Sequence, residues 1–264
     1  KIISLYYFTK NVIGDKGTVY SIVSAGSEPH DYEPIPSDIQ KLNSAKVFVT
    51  MGIEFEEFED VLISSIDSSV KIIPAGKNIQ LLKVTDEKEK LHSGIDPHIW
   101  ISLKNAKVMV KNIINGLIAL NPENAPVYIN NGNNLLSEIN TLDAEFKDGL
   151  ANCKKHTILV NHNAFSYLGK DYGFKTIYIS GLEPEVEPTP KQIKELIDFA
   201  RKEKIKYVFY EELVDPRIAK TIAKEVKAHV LELSPLEGVT NQSDTYITLM
   251  RHNLKNLEVA LECQ

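Results

Sequence analysis

Residues 157–165 read TILVNHNAF, and this stretch decides the fold class. Thr157 to Val160 form a short apolar run that ends in a polar loop holding His162. A run of this length, closed by turn residues, suits a buried strand. Similar runs occur at Ile2–Tyr7, Val19–Val23, Val47–Thr50, Ile72–Pro74, Thr176–Ile179, Tyr207–Tyr210 and Val230–Leu233. Segments with helical periodicity lie between them. Ser37 with Gln40 fits a capping box. Thr189 with Pro190 and Gln192 fits another, with proline at the first helical position. Asp215-Pro216 reads as a further cap followed by an N1 proline. Strands alternating with helices predict mostly parallel sheets with helices on both faces.

The middle of the chain breaks that alternation. Ser102 to Leu120 reads as one helix, and Asn121-Pro122 interrupts it. From Glu123 to about Leu150, the residues Leu135, Leu136, Ile139, Leu142 and Phe146 follow a helical stripe. The plain reading is a long helix of a single domain. The sharper reading is a connector between two α/β lobes. A short internal echo supports two lobes: residues 28–39 read EPHDYEPIPSDI and residues 183–193 read EPEVEPTPKQI. Each runs through two Glu-Pro pairs into a helix start and then to a strand. The expected division is an N-terminal lobe at 1–121, a linker helix at 122–150 and a C-terminal lobe at 151–264.

The chain has 264 residues, room for one large domain or two lobes. A net charge of -6 argues against nucleic acid as the main partner and against anionic membrane surfaces. No window of about 18 apolar residues suggests a transmembrane helix. Lys1 to Phe8 is apolar but too short for a signal peptide, and it reads as a first strand. Either the chain stays in the cytoplasm or a targeting segment has been removed. Cys153 and Cys263 form no CxxC pair, which leaves one disulfide or two buried thiols open.

Three histidines stand in distinctive loops: His30 in EPHDY, His98 in DPHIW and His162 in VNHNAF. Open α/β sheets bind ligands beyond the carboxyl ends of their strands, and His162 directly follows one. Neutral imidazoles from the three loops could share a borderline-soft cation such as zinc. Each ring would need an acceptor for its second N–H. Asp31, Asp96 and Asn163 are close in sequence, and they could equally cap the loops. A single loop histidine is usually a solvated side chain. His92, His156, His229 and His252 take that plain reading.

These residues carry a resemblance. GSEPHDYEPIPSDIQKLNSAKVFVTMGIEFEEF, DPHIWISLKNAKVM, and VNHNAFSYLGKDYGF followed by GLEPEVEPTPKQI resemble the signatures of solute-binding proteins of zinc and manganese ABC importers. EELVDPRIAKTIAKEV and the stretch to DTYITLMRHNL resemble the C-terminal part of that family, so the likeness runs nearly end to end. The resemblance implies two α/β lobes joined by a long rigid helix, with one divalent metal in the cleft between them. It implies that His30, His98 and His162 are its ligands. It further implies a monomer exported across the cytoplasmic membrane, delivering the ion to an ABC permease. The leader expected of the family, often ending in a lipid-modified cysteine, is then taken as removed.

Manganese-selective relatives commonly place a carboxylate third and an aspartate fourth. Here the third position is His162, and the fourth falls on Ser234 by its spacing to Asp244. That set favours zinc over manganese by ligand softness. Water, Glu28 or Glu211 could complete it. The His-rich loop of zinc relatives is reduced to KVTDEKEKLHSG, with His92 alone. A manganese receptor is the alternative. A zinc hydrolase with Glu28 or Glu211 as base is a weaker one, since no HExxH motif occurs. The adhesin role sometimes attached to this family would need a host partner that no residue here specifies. A receptor for a larger iron chelate would need a basic or aromatic pocket.

Overall fold

The computed structural model describes residues 3–23, 32–53, 57–84, 94–182, 187–238 and 243–264. The backbone groups into two units, residues 1–141 with 236–246 and residues 142–235 with 247–264. From sequence, all of 151–264 would form one lobe. Residues 236–246 go with the first unit because Tyr246 is fully buried there. Its ring meets Phe8 at a centroid distance of 4.7 Å. Its hydroxyl donates to the Trp100 carbonyl at 2.9 Å.

The first unit opens with α1 (Ile3–Ile13). The sequence reading made Ile2–Tyr7 a strand. The buried positions are Ile3, Ser4, Phe8, Thr9 and Val12, a helical stripe that a short apolar run does not reveal. Val19–Val23 is likewise no strand; those residues carry no regular structure. Then come α2 (Pro36–Ser44), β1 (Val47–Thr50), α3 (Glu57–Ser65) and β2 (Lys71–Pro74). Strands β1 and β2 pair in parallel, Val47 opposite Lys71. The start of α2 corrects the Ser37 cap. Pro36 takes the first turn, and Asp38 accepts from the Ile35 amide at 3.1 Å. Proline at that position loses no helical bond.

Next lie β3 (Leu82–Lys83) and β4 (Ile95–Asp96), a small antiparallel pair that the sequence did not suggest. A single turn of 3-10 helix, Ile99–Ile101, leads into α4 (Leu103–Leu120). Ser102 caps α4 by accepting from the Asn105 amide at 3.2 Å. Leu103, Ala106, Met109, Val110, Ile113 and Leu117 bury its inner face. Helix α4 packs on α1 and β2. Helix α5 (Ala125–Gly149) follows and crosses the boundary at Thr141–Leu142.

The second unit holds β5 (Thr157–Val160), α6 (Ser166–Tyr172), β6 (Lys175–Tyr178), α7 (Pro190–Lys202), β7 (Tyr207–Tyr210), α8 (Arg217–Val226) and β8 (His229–Glu232). Most of α9 (Tyr246–Ala260) completes it. Its sheet runs β6-β5-β7-β8, parallel throughout. The Thr189 capping box forms as the sequence indicates, with Thr189 Oγ1 accepting from the Gln192 amide at 3.3 Å. At α8, Pro216 is the cap and Asp215 accepts from Arg217 at 2.9 Å, one residue from the expected register. Leu159, Val208, Ala200, Ala219 and Ile222 form the core between the sheet and helices α7 and α8.

Cys153 and Cys263 form a disulfide across 110 residues. Loop entropy alone sets a ceiling of about 4–5 kcal/mol for such a span. Backbone bonds already hold the same ends, Lys155 N to Leu261 O at 2.9 Å and Gln264 N to Asn152 O at 3.2 Å. The expected loss for Cys153→Ser with Cys263→Ser is therefore about 2–4 kcal/mol. It should lower the urea midpoint of unfolding. An unchanged midpoint would show that those backbone bonds suffice.

Candidate metal centre

His98 sits where β4 ends and the 3-10 turn begins. Its backbone N–H and its Nδ1 both reach Asp96 Oδ1 at 2.9 Å. Asp96 is an acceptor when ionised, so the proton on that side is Nδ1–H. The nitrogen with a lone pair to give is then Nε2, the arrangement that orients a metal-binding imidazole. Nε2 stands 3.4 Å from Glu237 Oε1, and both side chains are almost wholly buried. Burial alone would pull the His98 pKa down. Hydrogen bonds to Asp96 and Glu237, with their charges, outweigh it and hold the pKa up at about 10. Without a cation, His98 therefore carries a proton between two carboxylates.

Glu237 owes its place to the backbone before it. Leu236 is fully buried and adopts φ +59°. Bulky residues rarely take that conformation, and it costs of the order of 1–3 kcal/mol. The strain lies one residue from a buried carboxylate that meets His98, as strain at functional sites commonly does.

In the second unit, His162 leaves the carboxyl end of β5. Its loop is tied to the exit of β6. Asn163 N donates to Gly181 O at 2.9 Å, and Ser180 N donates to Asn161 O at 2.7 Å. His162 is fully buried, and its Nδ1 lies 3.0 Å from Glu211 Oε2. Glu211 directly follows β7, the sheet neighbour of β5, so the two carboxyl ends present the pair side by side. Again Nδ1–H is held by a buried carboxylate and Nε2 is the donor nitrogen. Glu211 Oε1 is buried with no hydrogen-bond partner among the described residues.

Beside it, burial raises the Glu212 carboxyl most. The Ser234 hydroxyl and its own backbone oppose, Glu211 and Glu232 add to the rise, and the pKa stands at about 7. Ser234 Oγ donates to Glu212 Oε1 at 2.5 Å, and its backbone exchanges two bonds with the Asn253 side chain. Ser234, the expected fourth position, thus serves Glu212 and Asn253. Asn163 ties the loop, accepting from Ser166 at 3.0 Å. Asp96 holds the His98 ring. His30, Glu28, Asp31 and His92 lie outside the described residues.

Glu237 was absent from the sequence candidates. In LSPLEGV it looks like any turn glutamate, and nothing in the pattern signals its burial. Glu211 was among them, as a fourth ligand or a base; its contact is with the Nδ1 side of His162.

Residues 2–260 match the family described as zinc-uptake complex component A, periplasmic. Zinc-binding protein AdcA of Streptococcus pyogenes serotype M1 is 33% identical over 98% of this chain and 54% of AdcA. The chain thus spans about half the length of that relative. The solved Zn(II)-bound ZnuA-like domain of Streptococcus pneumoniae AdcA has a TM-score of 0.84 at 32% identity, covering 98% of this chain and 96% of that one. Laminin-binding protein Lmb of Streptococcus agalactiae, described as bifunctional with adhesin and metal-transporting activity, has a TM-score of 0.88 at 32% identity, with coverage of 98% and 96%. Matched over nearly its whole length, the chain belongs to the ZnuA family of periplasmic zinc-uptake components.

Proposed function

We propose that this chain captures one zinc ion outside the cytoplasmic membrane and delivers it to an ABC importer permease. The ion is cargo, bound by Nε2 of His98, Nε2 of His162 and the Glu237 carboxylate, with His30 as a further ligand. One observation carries the reading: both described candidate imidazoles are fully buried with Nδ1 held by a buried carboxylate. A buried structural histidine could satisfy that N–H with any acceptor, whereas a carboxylate on each ring supplies the orientation and basicity that a zinc ligand uses. The zinc-bound likeness in AdcA supports the same element. Imidazole nitrogens with one carboxylate also suit zinc better than manganese. The role is that of a receptor and not of an enzyme. Glu211, the candidate base, is occupied in orienting His162.

The protonated His98 sets the pH dependence. Its pKa is raised from 6.5 to about 10. Zinc must displace that proton, so affinity should rise about tenfold per pH unit between about 7 and 9. The sign for the metal-free fold is opposite. The stability from this charged group is complete below about pH 6.5 and fades as pH rises through about 10. Calorimetry on metal-stripped protein, repeated in buffers of different ionisation enthalpy, should give one zinc per chain and about one proton released at neutral pH. No zinc binding, several equivalent sites, or tighter manganese than zinc would overturn the proposal.

A further inference from the structure

The net charge of -6 hides a segregated basic edge on the second unit. All four parallel strands there enter the sheet beside lysine. Lys154 and Lys155 precede β5, Lys175 begins β6, Lys204 and Lys206 precede β7, and Lys227 precedes β8. Parallel pairing sets these residues along one edge, the amino ends of the strands. Lys155, Lys204 and Lys206 line a small, shallow surface depression with Tyr207 and Glu262. The acid among them, Glu262, is already engaged. Lys206 Nζ lies 2.9 Å from Glu262, and Lys155 Nζ donates to the Glu203 carbonyl at 3.0 Å. The hydrogen bond from Lys206, with the charges of Lys206, Lys155 and Lys154, holds the Glu262 carboxyl below its ordinary range.

Helix dipoles explain part of this, because lysine near a helix C-terminus is favourable. They do not explain the backbone. Lys204 and Lys227 follow α7 and α8 at φ +52° and +57°, where glycine is the unstrained residue. Lysine at both sites keeps positive charge on the edge against a conformational cost.

We propose that this lysine-lined edge docks on an anionic phospholipid bilayer. The inference rests on the receptor reading above, which places a membrane beside the protein. A row of ammonium groups along strand ends matches a plane of headgroup phosphates. Single-stranded nucleic acid would need rings to stack its bases, and Tyr207, in the depression, is half-buried against His229. His162 leaves the opposite, carboxyl end of β5. Docking by the lysine edge therefore leaves the carboxyl end of the sheet, with the His162 loop, on the side away from the bilayer.

Flotation of the whole zinc-loaded chain with vesicles tests this. Binding is expected to equal parts phosphatidylcholine and phosphatidylglycerol, not to phosphatidylcholine alone, and should fade in high salt. Each lysine near such a surface contributes about a fivefold gain in partition, so Lys175→Glu with Lys204→Glu and Lys227→Glu should lower binding about a hundredfold or more. Lys77→Glu with Lys83→Glu and Lys111→Glu, the same charge change on the first unit, should retain most of it. Equal losses in the two triple variants would overturn the proposal, as would binding no better than to neutral lipid. Inorganic polyphosphate binding that the edge variant loses while its vesicle binding persists would overturn it as well. Zinc titration of each variant separates the two ideas. Intact one-to-one zinc binding without vesicle binding removes the docking face and leaves the receptor standing.

Discussion

Glu237→Gln weakens zinc binding by about two to three orders of magnitude, measured by competition with a chromophoric chelator. The estimate follows from sharing an apparent 10–16 kcal/mol of structural-type zinc binding among four donors, about 2.5–4 kcal/mol each. Glutamine keeps the volume and offers a neutral oxygen, so the loss reports charge more than packing. The substitution has a second effect that a purely structural role would lack. Glu237 helps hold the His98 pKa up at about 10. Without its charge the imidazole gives up its proton at lower pH. The plot of log affinity against pH should therefore flatten at a lower pH in the variant. Reduced affinity with an unmoved bend would mean that Glu237 does not share the ion with His98.

Much of the second unit was legible because its signals are local. Thr157–Val160 and Tyr207–Tyr210 are strands at the expected bounds. Thr189, Pro190 and Gln192 cap α7 through bonds that span three residues. The first unit was less legible. Ile2–Tyr7 is apolar on consecutive residues, and only the burial of Phe8 and Val12 marks the helix. The place of residues 236–246 depends on Tyr246 reaching Phe8 and Trp100, far off in sequence.

The same divide runs through the site. Asp96 lies two residues from His98, and its polar proximity was visible. Glu211 lies 49 residues from His162, and only the adjacency of β5 and β7 joins them. Glu237 lies still farther from His98. Its burial follows from a positive-φ leucine, a conformation that no sequence pattern announces. The disulfide was undecidable from two cysteines. It follows from the antiparallel bridge that brings Cys153 to Cys263.

His162→Ala should cut the zinc-dependent rise in melting temperature to about a quarter at zinc concentrations that saturate the parent. Zinc at about a thousand times its dissociation constant stabilises the parent by about 4 kcal/mol. A ligand lost at about 3 kcal/mol leaves the same zinc concentration only a few times above the new constant, worth about 1 kcal/mol. The substitution also strips Glu211 of the Nδ1–H it meets at 3.0 Å and leaves a buried carboxylate without that partner. The metal-free protein should therefore melt lower too. His162→Ala combined with Glu211→Gln separates the two effects. The amide carries no charge to strand, so the metal-free melting temperature should partly recover while the zinc response stays small. Glu211→Gln alone keeps an acceptor for Nδ1–H and should cost about 10–100-fold in affinity, the range for a group that orients a ligand. If the double variant regains zinc stabilisation, His162 is a packing residue and the metal is held elsewhere.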